Sequence, residues 1–148
     1  MVLFGTDLFI GGDIDADDLC RALAELLPVA TADIFADGDT AAYEVLGLRN
    51  IVRLYALPPS GTLAFKADLD FVERIPVQVM QSLADARELT VLLSRDTAFP
   101  EEAGTMAGEG YVIFRKGLPP RAGALVADEQ DDEMAYRWKL LAEPLPPL

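Results

Sequence analysis

The chain has 148 residues, with 25 acids against 12 bases, no histidine and a formal charge of −13. A surface this negative repels phosphates, which disfavours nucleic acid and anionic lipid as partners and favours encounter with basic ones. Without histidine, Ser-His-Asp and Cys-His catalysis and imidazole zinc sites are excluded, and one cysteine allows neither a thiolate zinc site nor an intrachain disulfide.

The length suits one domain over residues 1–142, with an extended Pro-rich tail at 143–148; a domain near this size buries roughly 70% of its unfolded surface. Hydrophobic residues make up 51% of the chain, which argues against disorder. A mean hydropathy of +0.22 fits a well-filled core, or an apolar patch covered in a homodimer. No window reaches the ~18 uninterrupted apolar residues of a membrane helix. The amino terminus, MVLFGTDLFIGGD, lacks the basic flank of a secretory signal. A cytoplasmic protein is expected.

In chain order, Val2 to Ile10 predicts a strand, closed by Gly11-Gly12. A helix follows over 15–27: Asp15 is a good N-cap, Asp18 resembles the far half of a capping box, and Ile14 and Leu19 have staple spacing. Leu19, Ala22, Leu23, Leu26 and Leu27 share one helical face, and Pro28 stops the run. Val29 to Ala36 predicts a strand ending at Asp37-Gly38-Asp39, and Tyr43 to Leu48 predicts a strand or the lead into the next element. The plainest signal is a β-hairpin over 51–71. IVRLYAL is followed by Pro58-Pro59-Ser60-Gly61, then by a run in which Leu63, Phe65, Ala67, Leu69 and Phe71 alternate with polar residues. With strand candidates on either side, this hairpin is expected at the centre of the sheet.

After Pro76 a second helix is predicted to about residue 87, and Leu89 to Leu93 reads as a strand buried on both faces. Residues 96–110, rich in Gly and Glu, predict a long loop. Tyr111 to Lys116 predicts a strand, Gly117 to Pro120 a turn, and Ala124 to Ala127 a short strand. The acidic segment 128–133 reads as a connection into residues 134–140, whose alternation favours a strand although a helix also fits so short a window. Hairpins plus two helices, without regular βαβ alternation, predict an α+β domain: a mainly antiparallel sheet with both helices on one face.

Several motifs approach known chemistry and fall short. Asp13, Asp15 and Asp17 start like a calcium loop, but Asp18 stands where Gly is needed and Ala24 where Glu is needed. Gly11-Gly12 ahead of a helix resembles a phosphate turn, yet the aspartates around it would repel the anion, and no Gly-rich nucleotide motif occurs. Cys20 beside Asp17 and Asp18 has a disfavoured thiolate. The Gly104 to Gly110 segment precedes a strand, not a helix, and Arg115, Lys116 and Arg121 form only a loose basic group. No metal and no cofactor is expected.

Two groups remain as candidate partner-binding residues. Asp68 and Asp70 share the polar face of the second hairpin strand, roughly 7 Å apart. That spacing suits paired-carboxylate chemistry, although a solvated face explains it better. The acidic run Asp128, Glu129, Asp131, Asp132 and Glu133 leads into Tyr136 and the only tryptophan, Trp138; acids steer a basic partner and aromatics supply contact area. No motif names a function. The residues favour a non-enzymatic acidic interaction domain for a basic partner, comparable to immunity or inhibitor proteins. The alternatives are a small-molecule binder or carboxylate-using enzyme with a pocket between sheet and helices, and a homo-oligomeric structural protein.

Overall fold

The computed structural model describes residues 3–130 and 133–148, with Gln130 as backbone only. Its eight strands are β1 (Phe4–Gly11), β2 (Ile34–Ala36), β3 (Ile51–Ala56), β4 (Phe65–Phe71), β5 (Thr90–Ser94), β6 (Tyr111–Arg115), β7 (Arg121–Gln130) and β8 (Glu133–Leu140). They form one sheet in the order β2-β3-β4-β1-β5-β6-β7-β8. Every pairing is antiparallel except the short β2 against β3. The expected α+β class holds, and so does the 51–71 hairpin, in register from Ala56↔Phe65 to Ile51↔Asp70. The hairpin is not the middle of the sheet, however. β1 is, held by β4 on one side and β5 on the other, because the amino-terminal strand inserts between two elements far from it in sequence.

Two longer helices, α1 (Ala16–Leu26) and α3 (Val79–Arg87), lie on one face. The Asp15 side chain caps α1, accepting from the Asp18 amide at 2.8 Å. Asp18 does not complete a capping box; its carboxylate turns to Arg21 and Arg87. Leu19, Ala22 and Leu23 of α1 and Met80, Leu83 and Ala84 of α3 meet the inward set of the strands: Leu8, Ile10, Ala67, Leu69, Phe71, Val91 and Leu93. This is the main core. β5 is buried on both faces, as its unbroken apolar run predicts.

Elsewhere the local signals mislead. Only Ile34–Ala36 of the 29–36 segment is strand, preceded by a 3-10 turn at Thr31–Asp33. The 43–48 segment holds a one-turn helix, α2 (Ala42–Val45), not a strand. Residues 95–110 are not an open loop but a chain of short turns, including α4 (Arg95–Ala98). These turns are tied by buried Arg95, whose guanidinium donates to both carboxylate oxygens of Glu102 at 2.7 and 3.2 Å. β7 is ten residues long and absorbs Asp128 and Glu129, where a four-residue strand and an acidic connection are expected from sequence; Asp131 and Asp132 lie outside the described residues.

The second face of the sheet is half closed. The β7–β8 hairpin swings back so that the Tyr136 carbonyl accepts from the amides of Thr62 and Leu63, in the connection between β3 and β4. Phe9, Leu63, Leu92 and Ile113 are sealed beneath, with Tyr136, Trp138 and Leu140 packed on them. Leu63 therefore departs from the alternation that sequence assigns it: it belongs to this smaller core, and β4 begins at Phe65. Toward β3 and β4 the same face is more open among the described residues, with Tyr43 of α2 against Arg53 at its edge. Among the described residues no helix is long and apolar enough to cross a membrane.

Candidate functional site

The uncovered part of the second face is set by strand alternation. Ala67, Leu69 and Phe71 enter the main core, so Lys66, Asp68 and Asp70 face away from the helices. Register then builds a polar row across three strands. Arg53 of β3 stands opposite Asp68, and Asp68 stands opposite Asp7 of β1. Asp70 lies opposite Gly5, where no side chain intervenes.

The charges interlock. Arg53 donates to Asp70 at 2.9 Å and lies 3.8 Å from Asp68. Lys66 Nζ is 3.4 Å from Asp68 and 3.9 Å from Asp7. The buried Oδ1 of Asp68 and Nε of Arg53 find no hydrogen-bond partner among the described residues. Asp7 is pushed up to about 6: partial loss of solvent acts first, then a hydrogen bond to Asp68 and repulsion from Asp68 and Asp70, with Lys66 opposing. A protonated Asp7 supplies the donor that the crowded Asp68 carboxylate lacks. Below about pH 6 Asp7 carries this proton, and above it Asp7 is charged.

These groups line an open concavity of about 330 Å³ that also reaches Ser94, Asp96 and Tyr111. Ser94 donates to Asp96 at 2.6 Å. Burial pushes the Tyr111 phenol up, with Asp7 adding to it, so the ring stays a neutral donor. Around the rim, Tyr43 stands within 5.9 Å of the Arg53 guanidinium and Tyr55 within 5.9 Å of the Lys66 ammonium. A positively charged group fits this chemistry; an anion would meet four aspartates first.

The structure brings Asp68 and Asp70 into this site but not Asp128, Glu129 or Glu133 of the acidic run. Asp128 is spent on Arg137, at 2.7 Å across β7–β8. Glu129 and Glu133 lie near the tip of that hairpin, and Tyr136 and Trp138 are half-buried in the smaller core, Tyr136 against Phe9 at 5.2 Å and Trp138 under the Arg115 guanidinium at 5.6 Å. Cys20, half-buried beside α1's apolar stripe, has its thiol pushed up by burial and by Asp17. It edges a mainly apolar cleft of about 380 Å³ between α1 and β2, β3 and β4. Among the described residues no three acids or cysteines form a metal-binding group.

Asp7, Asp96, Arg53 and Tyr111 escape a reading of sequence alone. Their alternation is visible, with Gly5, Asp7 and Phe9 opposite in phase to Thr6, Leu8 and Ile10, but which strands become neighbours is not. No protein-family model, characterised protein or solved structure shows significant similarity to the chain.

Proposed function

We propose that the protein is a non-enzymatic interaction domain that receives a basic protein partner on the open face of its sheet, as immunity and inhibitor proteins do. The observation that carries this reading is the convergence of Asp7, Asp68, Asp70 and Asp96, from three separate elements, on one uncovered concavity in a chain of charge −13. Asp68 and Asp70 are partly neutralised by Arg53 and Lys66. Asp7 and Asp96 supply the excess that a partner's lysine or arginine would meet. The exposed ring of Tyr43 adds aromatic contact area at the rim. Glu129 and Glu133, near the tip of the β7–β8 hairpin, add long-range steering, while Tyr136 and Trp138 are committed to packing.

The test is affinity capture from the native cell at low salt, followed by association kinetics with the captured protein. The partner should be basic and its association rate should fall steeply as ionic strength rises. Asp7→Asn with Asp96→Asn should slow association without lowering the melting temperature. An acidic partner, or salt-insensitive association, would refute the reading. Light scattering on the same preparation separates a homo-oligomer from a monomer.

A second reading is favoured by the Asp7–Asp68 pair. Below about pH 6 the Asp7 carboxyl holds a proton directly opposite Asp68, which places an acid beside a second carboxyl group on one small concavity. Turnover of chromogenic glycosides or esters near pH 6 that is lost in Asp7→Asn would support it; turnover unchanged in that variant would dismiss it.

A further inference from the structure

The acidic concavity does not stand alone. It shares Gly5 and Asp96 with a larger hollow of about 540 Å³ at the start of β1. The walls of that hollow are only slightly more apolar than polar; the apolar part is Leu3 just before β1, Phe4 of β1, Ile75 and Val77 from the segment before α3, and Ala98 and Pro100 from the turns after β5. Both volumes lie in the range of about 300–1,000 Å³ in which small groups are held. Between them the floor is Gly5. A Cβ there would meet nothing closer than Asp70 Oδ1 at 3.6 Å, so the missing side chain leaves a passage and fills no tight contact. Leu3 is 42% exposed at the far side, an apolar group left in solvent at the mouth of the hollow. Arg74 lines the same end.

We propose that the two hollows form one groove for an extended segment of a partner protein that places an apolar side chain beside Leu3 and Ile75 and a lysine or arginine among Asp7, Asp70 and Asp96. The proposal rests on the reading of the open face as a docking surface and adds the segment's chemistry and direction. Charge complementarity selects the occupant. Four aspartates line one end against a single arginine, so a cation is favoured there. At the other end Arg74 repels a second cation and apolar walls reward a hydrocarbon. Direction follows, because reversing the segment would set its base against Arg74 and its apolar group against carboxylates.

Three labelled peptides test this by fluorescence anisotropy: one alternating leucine and arginine, a copy with glutamate for arginine, and a copy with serine for leucine. The leucine–arginine peptide should bind, the glutamate copy should not, and the serine copy should be weaker by roughly tenfold or more, the worth of one buried aliphatic side chain. Gly5→Leu plugs the passage and Ala103→Phe fills the apolar hollow from its exposed rim, neither changing any charge. Each should weaken the leucine–arginine peptide by about tenfold, while Gly5→Ala stays within about twofold. Melting curves confirm folding; if Gly5→Leu does not fold, Ala103→Phe decides. Equal binding of the serine copy, with both plugs harmless, overturns the groove and leaves the acidic face standing. Failure of the leucine–arginine peptide to bind also overturns the groove, and native capture then judges the face independently.

Discussion

Asp7 and Asp68 stand directly opposite each other across β1 and β4, two acids of like charge at one paired position of an antiparallel ladder. Like charges so placed are destabilising unless something intervenes. Here a proton and Lys66 do. Because Asp7 binds its proton more tightly in the folded protein than in the unfolded chain, folding is favoured at low pH. That contribution is fully present below about pH 4, the ordinary carboxyl range, and is lost as pH rises through about 6. Asp7→Asn keeps a donor toward Asp68 and removes the titration. Wild type should lose about 1 kcal/mol relative to Asp7→Asn between pH 4 and 7, allowing for the screening of a half-exposed side chain. Urea denaturation at several pH values measures the difference; parallel pH profiles for the two proteins would refute it.

The closure of the smaller core depends on a close approach at Gly61. A Cβ on that residue would overlap the backbone carbonyl of Tyr136, which accepts the Thr62 and Leu63 amides. Gly61→Ala must push β8 away from the β3–β4 connection and open Phe9, Leu63 and Ile113. A loss of about 1–3 kcal/mol is expected, the usual cost of overpacking a fitted contact. Trp138, the only tryptophan, sits on this core. Its emission should therefore shift to the red in the variant, and an unchanged spectrum would show that the closure tolerates a methyl group.

What was legible in sequence was whatever short-range periodicity carries. The Asp15 cap with α1, the β3–β4 hairpin and the doubly buried β5 follow from spacing within a dozen residues, whereas over 134–140 the window is too short to separate strand from helix. Position in the sheet does not follow from such spacing. Nothing near Asp7 says that β1 will lie between β4 and β5, so sequence pairs Asp68 with Asp70 along one strand, whereas the register sets Asp68 opposite Asp7. The acidic run at 128–133 looked like a connection because acids are poor strand formers. Within β7 and β8 this is offset by cross-strand pairing, Asp128 with Arg137. The segment at 95–110 looked loose because its Gly content hides the one tie that organises it.

That tie is Arg95 with Glu102. The guanidinium is almost fully buried and bidentate, and Glu143 of the tail approaches it at 3.6 Å. Arg95→Met leaves the Glu102 carboxylate buried without its partner and should cost about 3–5 kcal/mol. The double variant Arg95→Met with Glu102→Leu should recover most of that loss, since no charge is then stranded. Limited proteolysis reports the same event locally, with cleavage between residues 99 and 110 appearing in the single variant only. Equal stability of the single and double variants would show that packing of the Arg95 stem, not charge, holds the turns.

Lys66 is the cation that restrains Asp7. It lowers the Asp7 carboxyl while partial loss of solvent and the neighbouring aspartates raise it, so the value of about 6 is a balance. Lys66→Met keeps an unbranched stem of similar length beside Tyr55 and removes the charge. The Asp7 titration should then move above 6, and the pH at which wild type loses stability should move upward with it. Carbon-detected NMR of the Asp7 carboxyl reads the midpoint directly, and urea midpoints across the same pH range read its consequence. The two must shift together. A stability profile that moves while the Asp7 midpoint stays fixed would assign the effect to lost packing. A midpoint that falls would mean that the surroundings of Asp7 had opened, since without Lys66 only regained solvent or a relaxed contact with the neighbouring aspartates can make the carboxyl more acidic.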